Sequence, residues 1–296
     1  MGDREAAPTA SGGAAFADYL TKYHKSGRKG ENRIKYQQKY LTDYGILRDY
    51  QGNGFKLVSL AYCRQKGIED DRKFTPKGDA GNNEKLDNNL SRTRSRIFEL
   101  ALCNPWEWFV TLTLDKQKYD RRDLPKFIKD FSQMVRDYRK KTGQTVKYLL
   151  IPERHKDGCW HLHGFLLGLP VEALHAFQCS EHLPHRILER LKSGIQVYTW
   201  EAYTQRFGFS VFERIANHEA ASKYMTKYIT KEAMNTITEL NAHAFYASKG
   251  LQHSEVVMQD ILAHAIENPD YQNEHCAVKW FDDLPNALEH FEEVFA

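Results

Sequence analysis

Apolar residues recur at three- and four-residue spacing through Leu124, Phe127, Ile128, Phe131, Met134, Val135 and Tyr138, which predicts an amphipathic helix ending near Gly143. On either side the pattern changes. Trp108-Phe109-Val110-Thr111-Leu112-Thr113-Leu114 is β-branched and aromatic, the composition of a buried strand. Thr145 to Glu153 reads as a second strand and Cys159 to Leu167 as a third. Upstream, a helix capped by Asn88 or Asn89 carries a stripe of Ile97, Leu100 and Ala101 and ends at Asn104-Pro105. Downstream, residues 171–192 read as a helix interrupted at Pro184, and Ile195 to Thr199 and Phe209 to Ile215 as short strands. Asn217 caps a final helix running to about Ala233. Strands and helices mix, with one strand-to-strand hairpin in the middle, so the class is α+β, a sheet with helices packed on it.

The ends read differently. Residues 1–30 have the small, polar composition of a disordered segment. Residues 31–66 mix Lys and Arg with Tyr36, Tyr40, Tyr44 and Tyr50, either a nucleic-acid arm or a small helical extension with its aromatics turned inward. Residues 67–87 form a polar linker. Residues 234–296 read as helical and acidic, with breaks at Pro269 and Pro285. The expected organisation is a basic N-terminal extension (1–87), a central domain (88–233) and an acidic helical C-terminal region (234–296).

Composition narrows the class. At 41% hydrophobic and 27% charged, the 296-residue chain can bury a core. No apolar run approaches the roughly 20 residues that span a bilayer, and Met1 to Gly13 holds no apolar signal segment. The expected compartment is the cytoplasm, with no membrane partner. The five cysteines are scattered without CxxC spacing, which predicts free, mostly buried thiols. Net charge is +3, but residues 251–296 hold ten acidic residues against Lys279 alone. The rest of the chain is therefore near +12, which suits a polyanion such as nucleic acid.

Candidate chemistry sits in two places. His161 and His163 are two apart on an otherwise apolar strand, so they project from one face while Leu162 turns into the core. Two such imidazoles can share a cation or serve as hydrogen-bonded structural groups. Glu153 is the candidate third ligand, and the connection before Cys159 decides its side. A two-residue Asp157-Gly158 turn pairs Arg154 with His161 and sends Glu153 to the opposite face. A three-residue loop, Lys156 to Gly158 with Gly158 left-handed, pairs Glu153 with His161 and brings His155 to the same face. The second arrangement is preferred because it builds a site. Imidazole plus carboxylate suits Mn²⁺ or Mg²⁺ on a phosphate, and Zn²⁺ also fits.

Sixty-odd residues later, Tyr224 and Tyr228 are one helical turn apart and share a face. Ala221, Met225 and Ile229 form a core stripe beside them, and Lys223, Lys227 and Lys231 a basic one. A phenol, with a pKa near ~10, is a weak nucleophile at neutral pH, and an adjacent ammonium such as that of Lys227 stabilises the phenolate. The plainer account is a boundary face on which tyrosines bury rings and wet hydroxyls.

Taken together, these motifs resemble those of the HUH endonucleases, specifically the two-tyrosine initiators of rolling-circle replication in phages and plasmids. Phe109-Val110-Thr111-Leu112-Thr113 looks like motif I, His161-Leu162-His163-Gly164 like motif II, and Tyr224-Met225-Thr226-Lys227-Tyr228-Ile229-Thr230-Lys231 like motif III. The resemblance covers roughly residues 90–232. It implies a central antiparallel sheet of palm type flanked by helices. It also implies a divalent metal ion at His161 and His163 with a third ligand whose position varies within the family, for which Glu153 is the candidate here, nucleophilic Tyr224 and Tyr228 with Lys227 beside them, and a 5′-phosphotyrosyl intermediate on single-stranded origin DNA. No GxxxxGK[ST] motif is present, so a helicase, like the polymerase, is expected to come from the host. The competing expectations are a relaxase or transposase of the same superfamily, a DNA-binding regulator without catalysis, and a metal-dependent hydrolase that uses water.

Overall fold

In a computed structural model of the chain, the residues described are 40–41, 44–61, 63–64, 83–155, 157–225, 244–273 and 275–291. They fall into two compact units, one within residues 74–253 and the other built from both ends of the chain. Among the described residues no helix is long and apolar enough to cross a membrane.

The first four strands are β1 (Tyr40–Leu41), β2 (Tyr44–Asp49), β3 (Phe55–Leu60) and β4 (Cys63–Arg64). The central unit then runs α1 (Asn83–Leu102), β5 (Trp108–Thr113), α2 (Leu124–Thr142), β6 (Lys147–Arg154), β7 (Trp160–Leu167), β8 (His175–Ala176), α3 (His185–Lys192), β9 (Val197–Thr199), α4 (Glu201–Arg206), β10 (Ser210–Arg214), α5 (His218–Met225) and β11 (Tyr246–Ala247). Its seven strands form one sheet in the order β11-β6-β7-β5-β10-β9-β8, every pair antiparallel. The expected α+β palm-like sheet flanked by helices is the observed architecture.

Strand alternation sorts side chains between the two faces. Trp108, Val110 and Leu112 of β5, with Leu162 and Leu166 of β7, pack against Phe127 and Phe131 of α2 and Tyr203 of α4. Phe127 and Phe131 are fully buried, and each contributes on the order of 1.5–3 kcal/mol by leaving water. The ends of α2 are fixed locally. The Asp123 carboxylate accepts the Lys126 backbone N–H at 3.0 Å, and Gly143 closes the helix in the left-handed conformation. On the opposite face, α1 and α5 cover Leu149, Ile151 and Phe165 through Ile97, Ala101 and Met225. Ile187 of α3 packs on Val197 of β9, farther along the sheet, with Val211 of β10 against the same cluster. Between these two helical covers, His161, His163, Thr111 and Thr113 are partly accessible.

Several expectations are corrected. Helix α1 starts at Asn83, earlier than Asn88. The first half of the expected 171–192 helix is a single 3-10 turn, Val171–Ala173, followed by β8, and a helix forms only after Pro184. Helix α4 was missed because its six residues are too few to set up a period. The final helix begins as expected, with Asn217 Oδ1 accepting the Ala220 N–H at 2.8 Å. Its continuation to Ala233 lies outside the described residues, as do residues 1–39 and most of the expected linker.

The expected helical N- and C-terminal extensions are mostly strands over their described parts. β2 and β3 form a hairpin, and β12 (Glu255–Ile261), β13 (Tyr271–Gln272) and β14 (Cys276–Phe281) complete a five-stranded antiparallel sheet in the order β12-β2-β3-β14-β13. One short helix, α6 (Leu284–Leu288), packs Leu284 and Leu288 on Leu47, Leu57 and Leu262. The β-branched and aromatic residues of these segments (Val256, Val257, Val278, Trp280, Phe281) carried the strand signal. The acidic charge obscured it. Cys103, Cys159, Cys179 and Cys276 are free thiols, the first two buried.

Candidate functional site

The loop between β6 and β7 sets the site. His155 N–H donates to Cys159 O at 2.8 Å, and Gly158 N–H donates to His155 O at 2.9 Å. Three residues therefore lie between the last bonded pair, and Gly158 adopts φ 81°, the left-handed geometry of the three-residue alternative. The register that follows pairs Glu153 with His161 and Arg154 with Trp160. Glu153, His161 and His163 thus share one face, and His155 joins them with its ring centroid 3.8 Å from that of His161. Gly164, next after His163, is required to be glycine. A Cβ there would lie 2.0 Å from the Leu149 carbonyl oxygen, so only glycine lets β6 approach β7 this closely.

Strand β5 supplies the second half of the geometry. Thr111 pairs in register with His163 and Thr113 with His161. Each threonine Oγ1 meets the Nδ1 of its partner, at 3.2 Å for Thr111–His163 and 3.0 Å for Thr113–His161. Both imidazoles are therefore held from behind through the same nitrogen. A hydroxyl can donate or accept, so two proton arrangements are open. With Nδ1–H donating to threonine, the Nε2 lone pair is available to a cation. With the threonine O–H donating to Nδ1, Nε2–H of His163 donates to Glu153, whose Oε2 is 2.7 Å away. Anchoring of the far imidazole nitrogen is what fixes a histidine ligand's ring and tautomer. Sequence reasoning gave these threonines no role, although a Thr-x-Thr strand opposite a His-x-His strand was the available signal.

Electrostatics favour the neutral imidazoles. Burial lowers the His161 pKa to about 4, helped by the nearby His155, His163 and Arg121. Burial also lowers that of His163, against an opposing pull from the Glu153 carboxylate. Neutral imidazole is the form that ligates a metal. The donor types, two neutral imidazoles and a carboxylate, fit a divalent cation. Among the described residues, no three His, Cys, Asp or Glu side chains converge closely enough to hold one. Glu153 and His163 meet directly, whereas His161 lies against His155.

Tyr224, on α5, is among the exposed large residues. Its ring packs on Phe109 with centroids 5.7 Å apart. Phe109 shares its β5 face with Thr111 and Thr113, so the helix brings this tyrosine onto the face that carries the histidines. Tyr228 and Lys227 lie outside the described residues.

An antiparallel palm-type sheet thus carries two hydroxyl-anchored histidines, an adjacent carboxylate and an exposed tyrosine on one face. Over residues 107–233, which hold all of these groups, the chain matches the family model for replication-associated protein ORF2/G2P. That match spans less than half of the chain and supports a replication-associated role. No curated protein and no solved structure matches the chain.

Proposed function

We propose that this protein initiates rolling-circle replication by nicking and rejoining single-stranded origin DNA through a tyrosine. The observation that carries the reading is the joint placement of the His161–His163 pair and Tyr224 on one face of the sheet, within the segment similar to replication-associated proteins. The phenol oxygen of Tyr224 or Tyr228 attacks the scissile phosphorus in line. The bond from phosphorus to the 3′ oxygen breaks, and that oxygen leaves as a 3′-OH after gaining a proton. The 5′-phosphotyrosyl bond keeps the strand for later rejoining, and a second tyrosine permits a second cleavage while the first still holds DNA. His161, His163 and Glu153 would hold a Mn²⁺ or Mg²⁺ ion, which supplies polarisation of the phosphate and neutralises developing charge. Thr111 and Thr113 orient the two rings, and Lys227 stabilises the attacking phenolate. Helicase and polymerase are taken from the host.

The test is adduct formation. The protein, incubated with Mn²⁺ and single-stranded origin DNA, should give a protein–DNA species that survives denaturation. Tyr224→Phe, Tyr228→Phe and the double variant then assign the nucleophile. If cognate DNA gives no adduct at all, the covalent mechanism is wrong.

A further inference from the structure

The turn that closes the β6–β7 hairpin is ringed by guanidinium groups from two separate segments. Arg121 Nη2 lies 3.3 Å from Asp157 Oδ2, and Arg122 Nη2 donates to the Asp157 carbonyl at 3.2 Å. From the strand side, Arg154 Nε donates to the Gly158 carbonyl at 3.4 Å. Arg122 and Arg154 stand on either side of Gly158. A Cβ placed there would be 3.7 Å from Arg122 Nε and 3.7 Å from Arg154 Nη2. Behind them is a cleft of about 310 Å³ lined by Lys116, Tyr119, Asp120, Arg121, Arg122 and Cys159.

This convergence is held in place. Trp160 donates its backbone N–H to Arg121 O at 3.0 Å and its indole N–H to Arg122 O at 3.2 Å, which ties the segment before α2 to the start of β7. The Arg154 guanidinium lies 5.5 Å over the Trp160 ring. The compensating charge is small. Asp157 divides its two oxygens between Arg121 and the Cys159 N–H, and Asp120 Oδ1 accepts the Arg122 backbone N–H. Three guanidiniums at the turn, with Lys116 lining the cleft, therefore stand against two carboxylates. Arg121 Nε is buried without a hydrogen-bond partner, so that guanidinium is not fully satisfied. Like charges gathered at a rigid turn are stabilised by an anion, and guanidinium is the side chain best matched to phosphate oxygens.

The position gives the anion its identity. Strand alternation turns Arg154 and its partner Trp160 to the face opposite Glu153 and His161, but the seat lies at the turn end of the same hairpin, where His155 both opens the turn and stacks on His161. We propose that Arg122 and Arg154, flanking Gly158 and backed by Arg121 and Lys116, seat a backbone phosphate of the single-stranded DNA whose scissile phosphodiester lies at the histidines. This rests on the proposed nicking function and adds to it the track along which the strand enters or leaves.

The experiment is a salt titration of binding, kept apart from chemistry. Full-length protein is titrated into a fluorescein-labelled single-stranded oligonucleotide of mixed sequence, in chelator and without metal, and anisotropy gives the affinity at several salt concentrations. Each phosphate contact adds about 0.7 to the slope of log affinity against log salt for single strands. Arg122→Gln with Arg154→Gln should therefore lower the slope by about 0.7, the share of the one phosphate they seat, and weaken binding. Arg122→Lys with Arg154→Lys should restore most of the slope, an outcome that a merely unfolded turn would not give. An unchanged slope in the glutamine variant, with the unmodified protein binding normally, overturns the phosphate seat, as does a slope lost equally in the lysine variant. Adduct formation with an unchanged slope would remove the seat and leave the nicking function. A lowered slope without any adduct would do the reverse.

Discussion

Thr113 and His161 face each other across β5 and β7, with Oγ1 3.0 Å from Nδ1, and Thr111 and His163 repeat the arrangement one pleat along. The consequence is that both rings turn Nε2 away from β5. The chemistry proposed for the histidines depends on this backing as much as on the histidines themselves.

Removing the hydroxyls while keeping the shape tests that dependence. Thr111→Val with Thr113→Val should weaken Mn²⁺ binding by about 10–100-fold, the usual effect of losing a ligand's outer partner. Thr→Ser at both positions should recover most of it. Mn²⁺ paramagnetic resonance or calorimetry reads the affinity without DNA, and equal affinity in the valine variant would show that the threonines do not orient the ligands.

Acid should act on the same pair. The His161 pKa is about 4 in the folded chain, against an ordinary value near 6.5, chiefly because the ring is buried. Between those values the unfolded chain binds a proton that the folded chain refuses. Stability is therefore full above pH 6.5 and is lost as pH falls toward 4. Thermal unfolding of the unmodified protein should fall more steeply through that window than that of His161→Gln. Parallel curves, or a ring resonance in NMR titrating at the ordinary value, would contradict the burial argument.

Gly164→Ala should destabilise the central unit by about 3 kcal/mol or more, because the new Cβ meets backbone on β6, which cannot move aside as a flexible side chain would. Denaturant unfolding measures it. A loss below about 1 kcal/mol would mean that β6 and β7 separate at little cost.

Phe109→Ala removes the ring on which Tyr224 packs. If Tyr224 is a nucleophile, adduct formation through it should slow by about 10-fold or more as the phenol loses its fixed position. Binding of single-stranded DNA should stay within about twofold, since the phosphate seat proposed for Arg122 and Arg154 lies elsewhere. Anisotropy and adduct kinetics on the Tyr228→Phe background separate the two, and unaltered kinetics would show that Phe109 does not position the tyrosine.

Much of the central unit was legible because its signals are local. The spacing of Phe127, Phe131 and Val135 marks α2, and the period of two in β7 puts His161 and His163 on one side whatever the sheet around them. The terminal segments were misread for a related reason. Tyr44–Asp49 and Glu255–Ile261 are short and carry charge, and neither completes a hydrophobic face alone. Their strand character becomes evident only when each is paired with the other, some two hundred residues away.

Loop length falls between these cases. The chain allowed a two- or a three-residue connection before Cys159. The hydrogen bonds of His155 and the left-handed Gly158 select the longer one, which brings Glu153 to the histidine face. That the Glu153 carboxylate then meets His163, and not its register partner His161, follows from side-chain reach across a twisted hairpin, which spacing does not encode.

By itself, then, the sequence determined which side chains share a face of a given strand or helix, since that depends only on a residue's neighbours and the period of its element. Only the tertiary structure decided which faces meet. Thr111 and Thr113 stand behind the histidines because β5 pairs with β7, and Arg121 and Arg122 join Arg154 because Trp160 binds their backbone. Such contacts are set by strand order and long-range packing, which no local pattern specifies.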